Sequence, residues 1–301
     1  MTSGNDIREF LTTRRARITP DQAGLHAYGG RRRVSGLRRE EVAMLAGISV
    51  EYYTQLERGS VRGVSEDVLD VISRALQLDD VERVHLSDLV RAAKQRPIRG
   101  RHTTERVRPG VQRVLDTITE SAAFVRNGRL DILSANRLGY ALYSEAFANP
   151  ERPVNLARFV FLDTRAREFY ADWDGIADAG VGSLRAEAGR DPYDRDLADL
   201  VGELSLRSDD FRVRWAAHDV RRYRTGTQPF RHPLVGDLTL HYEALALTAE
   251  IGQTLIVYTA EPDSPSQGAL NRLANWSTNQ NDPRSLNPNG GDGECERSAR
   301  W

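Results

Sequence analysis

The chain has 301 residues and 40% hydrophobic content, ample for packed cores and better suited to two domains than to one. Its single cysteine, Cys295, excludes a disulfide or a cysteine metal site within one chain, and no segment approaches the run of about 18 apolar residues that a membrane-spanning helix needs. The net charge of −1 conceals a split: residues 1–108 hold 20 Lys+Arg against 15 Asp+Glu, and residues 109–301 hold 22 against 28. A basic front of this kind is the footprint of nucleic acid or of a solvated basic face.

Along the chain, Asp6–Arg17 reads as a first helix, with Ile7, Phe10 and Leu11 on one face. An arginine-rich connection, 18–36, follows. Leu37–Ala46, Val50–Arg58, Ser65–Leu76 and Val81–Lys94 then carry four short helical patterns. Ser49 and Ser65 stand where N-caps are wanted, and Glu66 and Asp67 place negative charge on the following first turn. This predicts an all-helical domain over 1–95. A basic, Pro/Gly-punctuated linker, 96–108, comes next. Beyond it, "AAFV", "LDILS", "DLTLHYEALAL" and "QTLIVYT" read as strands, around a helical middle from about Ala135 to Ala217. That order predicts an α+β domain over 109–262, one antiparallel sheet with helices packed on one face. The tail, 263–301, is rich in Asn, Pro, Ser and Gly. It is expected to be mostly disordered, with one short helix around Gln267–Trp276.

The stretch "GLRREEVAMLAGISVEYYTQLERG", Gly36–Gly59, carries the clearest chemistry. Val42, Ala43 and Ala46 share a face of its first helix, and Tyr53 and Leu56 share a face of its second. Gly47 sits where a left-handed residue ends a helix, and small Ala43 allows a close crossing. A short helix, a turn with glycine and a second helix free to enter a groove make a helix-turn-helix. Val50, Glu51, Thr54 and Gln55 point away from the Tyr53/Leu56 face.

"REEVAMLAGIS" and "YYTQLERG" resemble the Xre/Cro family of DNA-binding domains. The longer run from "RRRVSG", with the later "HDVRRYRTGTQPFRHPLVGDLTLHYEAL", resembles the MmyB-like transcription regulators, in which a PAS-like ligand-binding domain follows the DNA-binding one. The resemblance covers about 5–260. It implies base-edge contacts at Val50, Glu51 and Gln55. Gln55 suits adenine, Glu51 cytosine and Val50 a thymine methyl. It implies phosphate contacts at Arg38 and Arg39, with Ser49 and Arg58 as further backbone candidates. It also implies a pairing of Glu57 with Arg14. Many members of the family carry Thr or Ser as an N-cap where Arg38 stands, and Arg cannot accept that bond. Arg31, Arg32 and Arg33 are a third phosphate contact or a solvated loop. Tyr52 is a thymine contact or a solvent-facing ring.

The second domain lacks a Gly-rich phosphate loop, G-x-S-x-G and H-E-x-x-H. His218, Asp219 and His232 could ligate a metal or hold corners, since "HD" leads into one strand and "HP" ends the next. Corner-holding is the commoner use, and no catalytic or metal site is expected. The resemblance implies an apolar pocket between sheet and helices, with a fatty acid or similar amphipathic ligand. Phe159, Trp173, Trp215, His218, Arg222, His232 and Tyr242 are its candidates. Arg221, Arg222, Arg224 or a protonated histidine could meet a carboxylate. The leading expectation is a cytoplasmic, homodimeric regulator of double-stranded DNA controlled by that ligand. Control by a protein partner docking on the second domain is the alternative, and an enzyme tethered to DNA ranks third.

Overall fold

The computed structural model describes residues 3–25, 34–94, 106–217 and 225–279. Among the described residues the first domain has five helices: α1 (Ser3–Arg17), α2 (Arg39–Ala46), α3 (Val50–Glu57), α4 (Glu66–Ala75) and α5 (Asp80–Lys94). Its core gathers Ile7, Phe10, Leu11, Val42, Ala43, Tyr53, Leu56, Ile72, Leu86 and Leu89. Local chemistry sets the helix ends. Ser49 Oγ accepts from the Tyr52 N–H at 3.1 Å, and Ser65 Oγ accepts from the Val68 N–H at 3.3 Å. Gly47 ends α2 at φ +67°, where a side chain would be strained. At the start of α2 the missing Ser/Thr cap is partly made good: the Arg38 N–H donates to the Glu41 carboxylate at 2.6 Å.

The second domain opens with α6 (Pro109–Thr117), β1 (Ala122–Arg126) and β2 (Ile132–Ala135). Seven helices follow: α7 (Arg137–Leu142), α8 (Ser144–Phe147), α9 (Leu156–Leu162), α10 (Arg165–Phe169), α11 (Trp173–Arg190), α12 (Arg195–Arg207) and α13 (Asp209–Ala216). It closes with β3 (Thr225–His232), β4 (Gly236–Ala246), β5 (Thr254–Thr259) and α14 (Pro265–Asn279). The strands form one antiparallel sheet in the order β2-β1-β5-β4-β3. The four stretches that alternate in sequence are β1, β2, β4 and β5, and β3 is the strand that His232 ends. β3 lies at the sheet edge, where Pro229 forfeits no needed ladder bond.

The inner face carries Ala122, Phe124, Phe230, Leu238, Leu240, Ile256 and Tyr258 beneath the helices. α6 packs on the opposite face, with Val111 and Leu115 against Ala123, Val125 and Leu255. A separate helical cluster holds Leu184, Leu200, Leu204 and Phe211. Ala269, Leu270 and Leu273 of α14 belong to the inner core, so the domain runs past the boundary expected at 262. The apolar residues of that helix outweighed its polar surroundings. The two domains meet along α5 and α11: Ala186 joins the core of the first domain, and a Cβ at Gly189 would lie 2.6 Å from the His85 ring.

Candidate DNA interface and ligand-binding core

α3 is held by its buried side. Tyr53, Leu56 and Glu57 are all within 1% of full burial. Glu57 accepts from Thr12 Oγ1 at 3.1 Å, from Arg15 Nε and Nη2 at 3.2 and 3.1 Å, and from Arg39 Nη2 at 3.0 Å. Burial pushes the Glu57 carboxyl up, but Arg15 and Arg39 outweigh it and hold the group below its ordinary range. Burial, followed by the Glu57 charge, pushes the Tyr53 phenol well up. One carboxylate thus ties α1, α2 and α3 together. The expected partner was Arg14. One residue along α1 is a rotation of about 100°, and Arg14 instead pairs with Glu82 at 2.7 Å and covers Phe10.

The opposite side of α3 is open. Val50 is 47% exposed, Glu51 and Gln55 are exposed, and Thr54 is half-buried. All four share that surface, as the helical spacing requires. Arg38, Ser49 and Arg58 are exposed around it. Arg39 spends one nitrogen on Glu57 and leaves about half of its side chain outside. Ser49 accepts with its oxygen and keeps its hydroxyl proton to donate. The Tyr52 hydroxyl donates to the Gly63 carbonyl at 3.4 Å, which turns the ring toward the loop after α3. Arg31, Arg32 and Arg33 lie outside the described residues.

In the second domain the candidates separate. Phe159 packs edge-on against Phe169 and Tyr170 within the inner core. Tyr242 stands beside Tyr258 on the inner face, with ring centres 6.0 Å apart. Trp173 is buried there too, its indole N–H donating to the Val160 carbonyl at 3.0 Å and its face covered by Arg167. Trp215 is elsewhere: it stacks on Phe211 and under Arg185 in the α11–α13 cluster, away from the sheet. His232 is buried with both nitrogens engaged, one against the Ala141 carbonyl at 3.1 Å, the other accepting from the Leu234 N–H at 3.2 Å. Burial pushes its pKa down, so the ring stays neutral and pins β3 to α7. It offers a ligand its ring edge and no free polar atom. His218, Asp219, Arg221, Arg222 and Arg224 lie outside the described residues. Among the described residues no group of three metal-ligating side chains comes together, and no helix is long and apolar enough to cross a membrane.

The polar centre of this core was not foreseen. The Tyr143 and Tyr258 hydroxyls meet at 2.9 Å, and Phe124, Phe169 and Phe230 surround the Tyr143 ring. Burial raises the Tyr143, Tyr170 and Tyr258 phenols far above their ordinary value, so all three remain neutral donors. Alternation along β1 puts Arg126 on the same inner face as Ala122 and Phe124. The turn after it is tied closely: Asn127 and Asp131 bond three times, at 2.9, 3.0 and 3.1 Å, and Asn155 donates to Asp131 at 2.8 Å. A small set of oriented polar groups inside an aromatic core is the usual form of a small-molecule site. The strand pattern of "AAFVR" was the available signal for Arg126; nothing local marks Tyr143.

Two family models match the chain. A helix-turn-helix domain model matches residues 9–86, which contain α2 and α3. The model of the MmyB-like transcription regulator ligand binding domain matches residues 107–273, more than half of the chain, from just before α6 into α14. A search of the curated proteins finds no match. The open face of α3 thus lies within a helix-turn-helix module and the aromatic core within a ligand-binding module, and the chain belongs to the MmyB-like transcription regulators.

Proposed function

We propose that the protein is a one-component regulator that reads duplex DNA with α3 and sets its affinity for that DNA by a small amphipathic ligand in the second domain. The observation that carries the reading is the two-sided character of α3. One side is clamped through Glu57 to two other helices, while Val50, Glu51 and Gln55 are presented together outward. A recognition helix needs both a fixed pose and free base-reading side chains. One such helix reads few base pairs. The protein therefore acts as a homodimer on a site of two-fold symmetry, with half-sites about 10 base pairs apart. It works in the cytoplasm and is not an enzyme. The aromatic inner core, with its few neutral donors, suits a ligand with an apolar body such as a fatty acid.

Selection of bound duplexes from a random pool by the full chain, followed by affinity measurements on variants, tests the DNA half. Gln55→Ala is expected to relax the choice of base at one position and to cost about 1–3 kcal/mol there. Arg39→Ala is expected to weaken all sequences alike and to lower the salt slope by about one unit. Equal loss on specific and random DNA in Gln55→Ala would show that α3 presents a different face to the bases.

A further inference from the structure

Arg126 ends β1 on the inner face of the sheet, in register with Thr254 of β5. Its only hydrogen bond among the described residues is a long one, Nη1 to the Asn127 carbonyl at 3.3 Å. A guanidinium carries five N–H donors, so most of this fork is unspent, and no carboxylate among the described residues forms an ion pair with it. The charges and dipoles that act on it are the Tyr258, Tyr143 and Tyr242 phenols and the Glu187 carboxylate. Burial lowers its pKa from the ordinary arginine value, and those groups oppose the shift. A cation with spare donors, near the neutral Tyr258 and Tyr143 phenols and at the edge of an aromatic core, is complementary to a carboxylate on an apolar body.

Glu187 connects this point to the other domain. Its carboxylate covers the turn after β1 so closely that a Cβ at Gly128 would meet it at 2.1 Å. It is held on α11 by Arg190, whose Nε donates at 2.9 Å. The neighbouring Ala186 is part of the core of the first domain, and Gly189 faces His85 and Leu89 of α5. Beside them, Arg17 of α1 donates to the Ala217 carbonyl at 3.2 Å. One helix therefore touches both the Arg126 turn and the DNA-binding domain.

We propose that Arg126 receives the acidic head group of the ligand, in competition with Glu187, so that occupancy is felt on α11 where it packs against α5. The proposal rests on the ligand-controlled reading above and adds to it the residue that meets the acid and the route by which occupancy reaches the first domain. An incoming carboxylate displaces the influence of Glu187 on the guanidinium. Glu187 is then left to Arg190 alone, and the segment from Ala186 to Gly189 moves with it.

The test is calorimetric titration of the full chain with decanoate and phenylpropionate, and with decanol and phenylpropanol as their uncharged counterparts. The wild type is expected to prefer the acids by about tenfold or more. Arg126→Gln should abolish that preference while leaving alcohol affinity in place, and Arg126→Lys should retain most of it. Glu187→Gln should tighten the acids about threefold and leave the alcohols unchanged. Should Arg126→Gln not fold, Glu187→Gln decides: unchanged acid affinity overturns the proposal. An acid preference that survives Arg126→Gln, or wild-type protein that binds alcohols as tightly as acids, overturns the assignment of Arg126 and leaves the ligand-controlled reading intact. Failure of all four compounds to bind overturns both. Amide exchange over 186–190 should change with decanoate in the wild type; no change there overturns the role of Glu187.

Discussion

The two cores of the molecule are built differently. In the first domain the centre is apolar, and the buried carboxylate of Glu57 is saturated by Thr12, Arg15 and Arg39. In the second, hydroxyls meet in the middle of the aromatic core, and the nearby cation, Arg126, has donors to spare. A saturated polar cluster fixes one shape, whereas an unsaturated one is completed by something else. The first core serves to hold a surface still. The second, in the proposed reading, is the one that responds, and α11 packs against both.

The largest effect that should break this contrast is Leu56→Ala. Leu56 is 1% exposed on the inner side of α3, and its truncation is expected to cost about 2–5 kcal/mol. Urea unfolding should show the loss, and DNA binding should vanish while acid binding in the second domain persists. Joint loss of both would mean that the two cores do not stand apart.

Next comes Glu57→Gln, with an expected cost of about 2 kcal/mol from weakened charged hydrogen bonds. Its sign with pH is fixed. The folded carboxyl lies below its ordinary value of 4.5, so its stabilisation is complete above that pH and is lost as pH falls through the lower folded value. In thermal melts the variant should therefore fall short of the wild type most at neutral pH and approach it in acid. A gap that widens in acid would contradict the clamp.

Gly189→Ala should have the smallest effect. The added methyl meets the buried His85 ring and should ease α11 away from α5. Ligand and DNA should each still bind, with the influence of one on the other reduced about threefold, or about 0.7 kcal/mol. Undiminished influence, measured by anisotropy, would place the coupling elsewhere.

The helix-turn-helix was legible in the sequence because its signals are local. Ser49, Gly47 and the 3.6-residue spacing of Val42, Ala46, Tyr53 and Leu56 each report on a few neighbouring positions. The four alternating strands were legible for the same reason. The partner of Glu57 was not, because Arg14 and Arg15 differ only in which way α1 is turned. Trp215 was expected in the ligand pocket on its aromatic character alone, and packing against Phe211 placed it in another cluster. Tyr143 and Arg126 were passed over because their meaning depends on register. Tyr258 meets Tyr143 only once β5, more than a hundred residues later, pairs with β1. No window of sequence holds that information.

The most direct test of the central claim, that an acid in the second domain controls the hold of α3 on DNA, is a reciprocal titration on the full chain. Operator affinity is measured with and without saturating decanoate, and decanoate affinity with and without operator. Linkage requires the same factor in both directions, and a hundredfold factor corresponds to about 2.7 kcal/mol. The account predicts equal, non-unit factors that shrink together in Arg126→Gln. Decanoate affinity that is identical with and without operator would contradict it, and control of the grip would then pass to a protein partner docked on the second domain.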